Sequence, residues 1–388
     1  MIGMILHILD IIFYAFFCIN VVYLLFYSIA FHFKKEAKKN PISTYRRIAL
    51  LIPAYREDEV IMECVESCLL QDYPREKYDV IVISDRMEEV TNRRLSALPV
   101  RLIIVNFQNS TKAKALNAAM SLYDDYDIAL ILDADNTIGP DFLKMNNEAF
   151  ENEHIAAFQS HRVAKNLNTN LAFLDAVSEE INNSIFRQGH VNVGLSSALI
   201  GSGMAFDYKL LKEKLANIPA VGGFDRALEL TLFKEGWKIG YLSDALVWDE
   251  KIQTQSDFSR QRRRWMSAQL HYLRVFIKDL PQAIRTRNWD FCDKMFQQMS
   301  IPRLILLGSI FIIAGIVSFF SWIIACKWWI LFLVLVITLG MAIPCNLFTK
   351  RLFVATVELP MSFFSMFLNL FRMKGANKKF IHTKHGVK

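Results

Sequence analysis

From Met4 to Phe33 the chain is almost continuously apolar, much longer than a signal-peptide core and without a small-residue cleavage pattern. A run of that length reads as an uncleaved helix spanning a bilayer. Lys34, Lys35, Lys38 and Lys39 follow it, which places that end in the cytoplasm by the positive-inside bias. Leu304–Ala325 and Trp328–Phe348 are further spanning candidates. Leu352–Phe371 is also long enough, but Glu358 and Pro360 lie near its middle, and an intramembrane acid is costly unless buried or paired. A full crossing there would also carry the basic tail (Arg372, Lys374, Lys378, Lys379, Lys384, Lys388) outside, so the segment reads as interfacial or re-entrant. Trp289, Cys292, Phe296 and Met299 share one helical face among charges, as in a helix lying in the membrane surface.

The residues between these runs have a different character. The whole chain of 388 residues is 53% hydrophobic and 21% charged, with a mean hydropathy of +0.22. That is too apolar for an ordinary soluble protein and too charged for membrane throughout, so a soluble domain lies between membrane segments. The expected division is residues 1–33 as a membrane helix, 40–275 as a cytoplasmic domain, and 276–388 as interfacial and membrane helices with a basic tail. The net charge of +7 does not indicate nucleic acid, because much of the excess flanks hydrophobic runs. The six cysteines form neither a disulfide framework nor a zinc pattern, which suits a reducing cytoplasm.

Within the domain, apolar runs alternate with helical periodicity. Arg47–Ile52 is a strand candidate ending in Pro53-Ala54-Tyr55-Arg56-Glu57-Asp58, and Val60–Leu69 follows at helical spacing. Asp79–Ser84 is a second strand and delivers Asp85. Arg101–Phe107 is a third, followed by a loop with Lys112 and Lys114 and a helix over Ala115–Tyr123. The apolar run Ile128–Leu132 then ends in Asp133 and Asp135. This alternation predicts an α/β fold with a parallel, doubly wound sheet, whose ligands bind outside the carboxyl ends of the strands. Two carboxylates one residue apart on extended backbone point to the same side and repel unless a cation sits beside them. Hard oxygen donors with open positions suit Mg²⁺ or Mn²⁺ carrying a diphosphate. A lone Asp-x-Asp is more often an acidic turn; its neighbours along the chain change that balance.

Phe173–Phe186 reads as helix, and Gly194–Phe206 (GLSSALIGSGMAF) as a small-residue loop near a ligand. Gly222-Gly223-Phe224-Asp225 leads into a helix with Leu228, Glu229 and Leu232, and Gly240–Trp248 reads as a returning strand. Ser256 or Asp257 caps a further helix that carries Gln261, Arg264 and Trp265 on one face.

IPAYRED, the lone Asp85, KAKALN at Lys112–Asn117, DADN at Asp133–Asn136, GSGMAF at Gly201–Phe206 and QRRRW at Gln261–Trp265 occur in order. Through them, from about Ile48 to Trp265, the chain resembles the membrane-embedded family 2 glycosyltransferases, the group that includes processive polysaccharide synthases. The resemblance implies a glycosyltransferase A-type, Rossmann-like fold and a nucleotide-diphosphate-sugar donor, with UDP-sugar expected. Pro53, Tyr55 and Glu57 would line the nucleoside pocket, and Asp85 would accept a hydrogen bond from the base. Lys114, with Lys112 as a second candidate, would lie near the nucleotide or phosphates. Asp135 would be the principal metal ligand, with Asp133 on the ribose or the metal shell. Gln261, Arg264 and Trp265 would border acceptor and diphosphate, while Arg262 and Arg263 have a serious rival role in docking the helix onto the membrane.

One departure concerns the general base. The family usually has a Glu-Asp pair after GSGMAF, and Phe224 stands where the Glu is expected. Asp225 is the expected base, with Glu229 the fallback. The implied reaction is inverting transfer onto a growing polysaccharide. The alternatives are single addition to a polyprenyl phosphate or glycolipid, and a non-catalytic subunit that only binds sugar nucleotide. Retention of Asp85, Asp133, Asp135 and Asp225 argues against decay. The expected location is the plasma (inner) membrane, multi-pass, and any pore for a glycan would require a partner subunit or oligomer.

Overall fold

The computed structural model describes residues 2–33, 43–151, 155–218 and 222–372. The lysines from Lys34 to Lys39 and the tail lysines from Lys374 to Lys388, on which the expected orientation rests, lie outside the described residues.

Eight strands form one sheet: β1 (Ile48–Tyr55), β2 (Tyr78–Asp85), β3 (Arg101–Val105), β4 (Ile128–Ile131), β5 (Thr137–Ile138), β6 (Ile155–Ala164), β7 (Met204–Asp207) and β8 (Lys238–Asp249). Their spatial order is β3-β2-β1-β4-β7-β6-β8-β5. β1, β2 and β4 carry continuous apolar runs because helices cover both faces of the sheet. β3-β2-β1-β4 is parallel, with Tyr55 opposite Asp85 and Leu51 opposite Ile131. Pro53 is tolerated inside β1 because it lies beyond the last residue paired with β4, where no ladder bond needs its missing N–H.

The expected wholly parallel sheet is corrected beyond β4. β7 runs antiparallel to both β4 and β6, while β6 and β8 are parallel and β5 is antiparallel to β8. The stretch read as a loop through Phe206 ends at Gly203, and Met204–Asp207 is strand. Gly201 and Gly203 take φ of +93° and +64° to turn the chain back. A Cβ on Gly203 would sit 2.9 Å from Val247 Cγ2, so only glycine lets the turn lie so close to β8. Register shifts between β6 and β8 add to the curl of the sheet.

Among the helices, the cap at Gln255–Phe276 is Thr254, not Ser256 or Asp257: the Thr254 hydroxyl accepts from the Asp257 N–H. The expected span Leu304–Ala325 is also corrected. Its helix covers Arg303–Ser318 and stops, because Ser321 caps a new helix, Trp322–Met341, by accepting from Ile324 N–H. Among the described residues, three helices are long and apolar enough to cross a membrane, lying within His7–Phe31, Trp322–Met341 and Lys350–Phe371, or up to four if the bent pair Trp289–Met299 and Arg303–Ser318 is one span. Lys350–Phe371 therefore has the length of a crossing, and Glu358 in it is met by the Gln255 amide at 3.3 Å. The N-terminal helix is fastened to Trp322–Met341 by a Lys327–Asp10 ion pair, by Trp328 Nε1 donating to Asp10 at 2.9 Å, and by Ser28 Oγ donating to the Thr338 carbonyl at 2.9 Å. It also meets the π-helical turn Asn183–Gly189, where a Cβ on Gly189 would fall 2.5 Å from the Tyr27 carbonyl oxygen.

Candidate active site

Tyr55, Asp85 and Asp133 stand at or just past the ends of three adjacent parallel strands. The chain leaves β1 and β2 through Arg56 and Arg86, both at φ +56°, so each strand breaks sharply. Asp85 is only 3% exposed, and its Oδ1 has no hydrogen-bond partner. An unpaired buried acceptor costs about 1–3 kcal/mol, which a ligand N–H arriving there would recover.

The two acids after β4 are held differently. The Asp133 N–H donates to Ser202 Oγ at 2.9 Å, and the Asp133 carboxylate is ion-paired with Lys112. Lys112 also donates to the Gly201 carbonyl at 2.8 Å, tying the KAKALN helix to the GSGMAF turn. Lys114 instead donates to the Asn109 carbonyl at 3.0 Å, so Lys112 is the lysine in contact with the acidic pair. Asn136 spans the next layer: its amide donates to Asp135 Oδ1 at 3.2 Å and to Asp249 Oδ1 at 3.1 Å, and it accepts from Ser202 Oγ.

Behind Asn136 lies a buried charge cluster that the sequence reading missed. Asp249 meets Lys251 at 2.8 Å and Arg162 at 3.5 Å, while Glu179 meets Arg162 at 3.0 Å and Arg187 at 3.1 Å. Burial alone would raise the Glu179 carboxyl; the charges of Arg162, Arg187 and Lys251 instead hold it well below the ordinary carboxylate range. Asp249 is likewise held down against burial by Arg162 and Lys251. An acid at the end of a strand was the available signal for Asp249, the same that marked Asp133. Glu179 and Arg187 left no signal, because their pairing depends on a helix and a turn folding over β6.

Asp225 opens the helix Phe224–Lys234. The GSGMAF turn faces it: a Cβ on Gly201 would lie 3.7 Å from Asp225 Oδ2. Phe224 is buried in the core, with the Lys112 ammonium 5.5 Å from its ring centroid. Glu229, one turn on, is 1% exposed and fully engaged, accepting from the Leu199 N–H at 3.0 Å and pairing with Lys294 at 2.8 Å.

On the QRRRW helix, Arg262 turns inward. It pairs with Asp175 and stacks 4.2 Å from the Trp265 ring centroid and 4.9 Å from that of Phe258, bracing the tryptophan. Gln261 Oε1 is buried without a hydrogen-bond partner. Burial, and then the Arg260 charge, pushes the Arg264 guanidinium pKa below its usual value. Pro53, Tyr55, Glu57, Asp85, Lys114, Asp133, Asp135, Asp225, Glu229, Gln261, Arg264 and Trp265 all line one cavity of about 1600 Å³.

A divalent cation fits this donor set in one way. Among the described residues no group of three or more His, Cys, Asp or Glu could enclose a metal, but Asp133 and Asp135 offer hard oxygens beside an open cavity. That suits a cation whose remaining ligands come from a substrate diphosphate.

A family model described as glycosyltransferase like family 2 matches residues 46–268. The Bacillus subtilis protein named Probable glycosyltransferase YdaM is 23% identical over 261 residues, covering 62% of this chain and 59% of the relative. The beta-monoglucosyldiacylglycerol synthase of Synechocystis is 25% identical over 234 residues, covering 57% of this chain and 47% of the relative. The chain thus spans about half to three fifths of the length of these relatives. The mannosyltransferase PcManGT from Pyrobaculum calidifontis, solved with GDP-Man and Mn²⁺, aligns over 92% of this chain and 99% of its own, at 19% identity and a TM-score of 0.61. That likeness concerns the fold, which is the α/β glycosyltransferase A-type arrangement with a curled mixed sheet.

Proposed function

Because this chain belongs to the glycosyltransferase family 2-like proteins, we propose that it transfers a sugar from a nucleotide-diphosphate donor, with inversion, to an acceptor held at the membrane. The single observation that carries this reading is the cavity in which the unpaired Asp85 oxygen, the Asp133–Asp135 pair, Asp225 and Trp265 converge.

In this mechanism Asp85 accepts a hydrogen bond from the base, a UDP-sugar being the donor class it fits, and Pro53, Tyr55 and Glu57 line the nucleoside. Asp135, with Asp133, would hold Mg²⁺ or Mn²⁺, which when bound supplies charge neutralisation to the departing diphosphate. Lys112 and Lys114 add positive charge on that side, and Lys112 keeps Asp133 oriented. Asp225 takes the proton from the acceptor hydroxyl as that oxygen attacks the anomeric carbon from the face opposite the leaving group. Displacement in one step turns an α donor linkage into a β product. Trp265, braced by Arg262, offers a flat apolar face to a sugar ring, and Arg264 offers a fork of donors to phosphate.

Two acceptors fit the family, a growing glycan and a membrane lipid. The apolar lining supports the lipid: beyond Gln261 and Trp265 the cavity continues along Leu304, Leu307, Phe332 and Leu339. The relative that names a diacylglycerol product is in keeping with this. Membranes holding the full chain are expected to convert radiolabelled sugar nucleotide into product extracted by organic solvent; label found only in solvent-insoluble polymer would reject the lipid acceptor.

Donor recognition is tested separately. Asp85→Ala is expected to weaken nucleoside diphosphate binding about 10-fold or more, since a hydrogen bond to a charged group is worth roughly 1.5–3 kcal/mol. Calorimetric titration would read it, and unchanged affinity would remove Asp85 from the nucleoside site.

The same reading puts the catalytic domain of residues 40–275 on the cytoplasmic side of the plasma (inner) membrane, where sugar nucleotides are made. The basic residues beside the apolar runs motivate this. A cysteine replacing Lys384 should resist impermeant thiol reagents in intact cells; ready labelling from outside would reverse the assignment.

A further inference from the structure

One wall of the cavity is built from buried and half-buried charged groups. The helix Asn170–Asn182, the turn Asn183–Gly189, the end of β8 and the QRRRW helix gather Arg162, Arg187, Lys251, Arg262 and Arg303 around Glu179, Asp249 and Asp175. Each of these carboxylates is already paired: Glu179 with Arg162 and Arg187, Asp249 with Lys251 and Arg162, and Asp175 with Arg262. Among the described residues Arg303 is ion-paired with no carboxylate. Its Nη2 donates to three neutral oxygens, the Ser178 carbonyl at 3.1 Å, Ser178 Oγ at 3.3 Å and Asn182 Oδ1 at 2.8 Å. Its Nη1 is buried with no hydrogen-bond partner. Arg262 and Arg187 act on it as like charges, and the already paired Glu179 as an opposite one. A guanidinium desolvated without a counter-ion is costly, and phosphate is the anion whose geometry its donor fork matches best.

Arg303 also stands where the cavity changes character. It begins the helix Arg303–Ser318, and from the next residue the lining is apolar: Leu304, Leu307, Phe332, Val336, Leu339 and Ile343. A ligand that satisfies both parts is an amphiphile, with an anionic group at the guanidinium and hydrocarbon among these side chains. We propose that Arg303 binds the phosphate group of a lipid-linked acceptor, so that this protein selects a phosphate-bearing lipid over a neutral one. This rests on the lipid-acceptor reading above. The donor diphosphate is the rival occupant, distinguished below by nucleotide affinity.

The test uses the full chain in phosphatidylcholine nanodiscs and compares farnesyl phosphate with farnesol, binding being read by native mass spectrometry or tryptophan quenching. The wild type is expected to bind farnesyl phosphate about 10-fold more tightly, as a charge-assisted hydrogen bond would give. Arg303→Gln should bring the two lipids to equal affinity. Asn182→Asp should do nearly the same while keeping the arginine, by placing a carboxylate where an amide oxygen now lies 2.8 Å from Nη2. That second variant keeps the test open if Arg303→Gln fails to fold. Nucleoside diphosphate affinity should be unchanged in both. Equal binding of the two lipids by wild type, or a preference surviving in Asn182→Asp or in folded Arg303→Gln, would overturn the proposal. So would full displacement of farnesyl phosphate by equal inorganic phosphate, which would mark a free-anion site. A loss of nucleotide affinity in Arg303→Gln would assign the arginine to the donor. If neither lipid binds, the lipid-acceptor reading itself falls; if both bind equally, only the selectivity does.

Discussion

Asp135→Asn is expected to lower sugar transfer about 10³-fold, the scale of the several kcal/mol of charge stabilisation lost with a catalytic cation. The substitution preserves shape, and the amide can still meet Asn136, whose contact with Asp249 is independent of residue 135. Thermal unfolding should therefore change little while turnover collapses. A chelator should inactivate the wild type to a similar degree and cost the variant almost nothing further. Turnover at the wild-type rate in Asp135→Asn, with or without added Mn²⁺, would remove the acidic pair from the mechanism.

Asp225→Asn should cost about 10²–10⁴-fold in single-turnover transfer, the usual range for removing a general base, with donor affinity nearly unchanged. The motivation is geometric. Asp225 begins its helix in the cavity, facing Gly201, whereas both oxygens of Glu229 are engaged, one by a backbone N–H and one by Lys294. A carboxylate held in that way is poorly placed to take a proton. Glu229→Gln is expected to act on stability instead. It strands the buried Lys294 ammonium, and breaking a buried pair from one side costs roughly 3–5 kcal/mol. Glu229→Gln paired with Lys294→Met should recover most of that loss. Should the Glu229 variants fold normally yet fail at transfer while Asp225→Asn works, Glu229 is the base.

Most of the parallel half of the sheet was legible because β1, β2 and β4 are buried on both faces and so appear as unbroken apolar runs. β7 was not. Met204–Asp207 is short, and its pairing with β4 depends on two glycines turning the chain against Val247, 44 residues away in sequence. The break in the Leu304–Ala325 run was equally hidden: Ser321 caps a helix within a continuously apolar stretch.

The sequence by itself marked the acids and glycines at strand ends that line the cavity, though not its Arg162–Glu179–Arg187 wall, since strand-end positions have a local cause, the run of strand that delivers them. It also marked the apolar segments, whose length is a local property. Only the tertiary structure decided what each polar group does once there. Lys112 reaches the acidic pair although Lys114 is two residues away on the same helix, Arg262 props Trp265 from inside, and Glu229 is committed to Lys294. Among the described residues, Arg303 meets only neutral oxygens. The physical reason is that a charge's role follows from which partners share its buried volume. Apart from Arg262 and Trp265, three residues apart on one helix, those partners lie 21 to 121 residues apart, as with Lys112–Asp133 and Arg303–Asn182, so no local pattern encodes them.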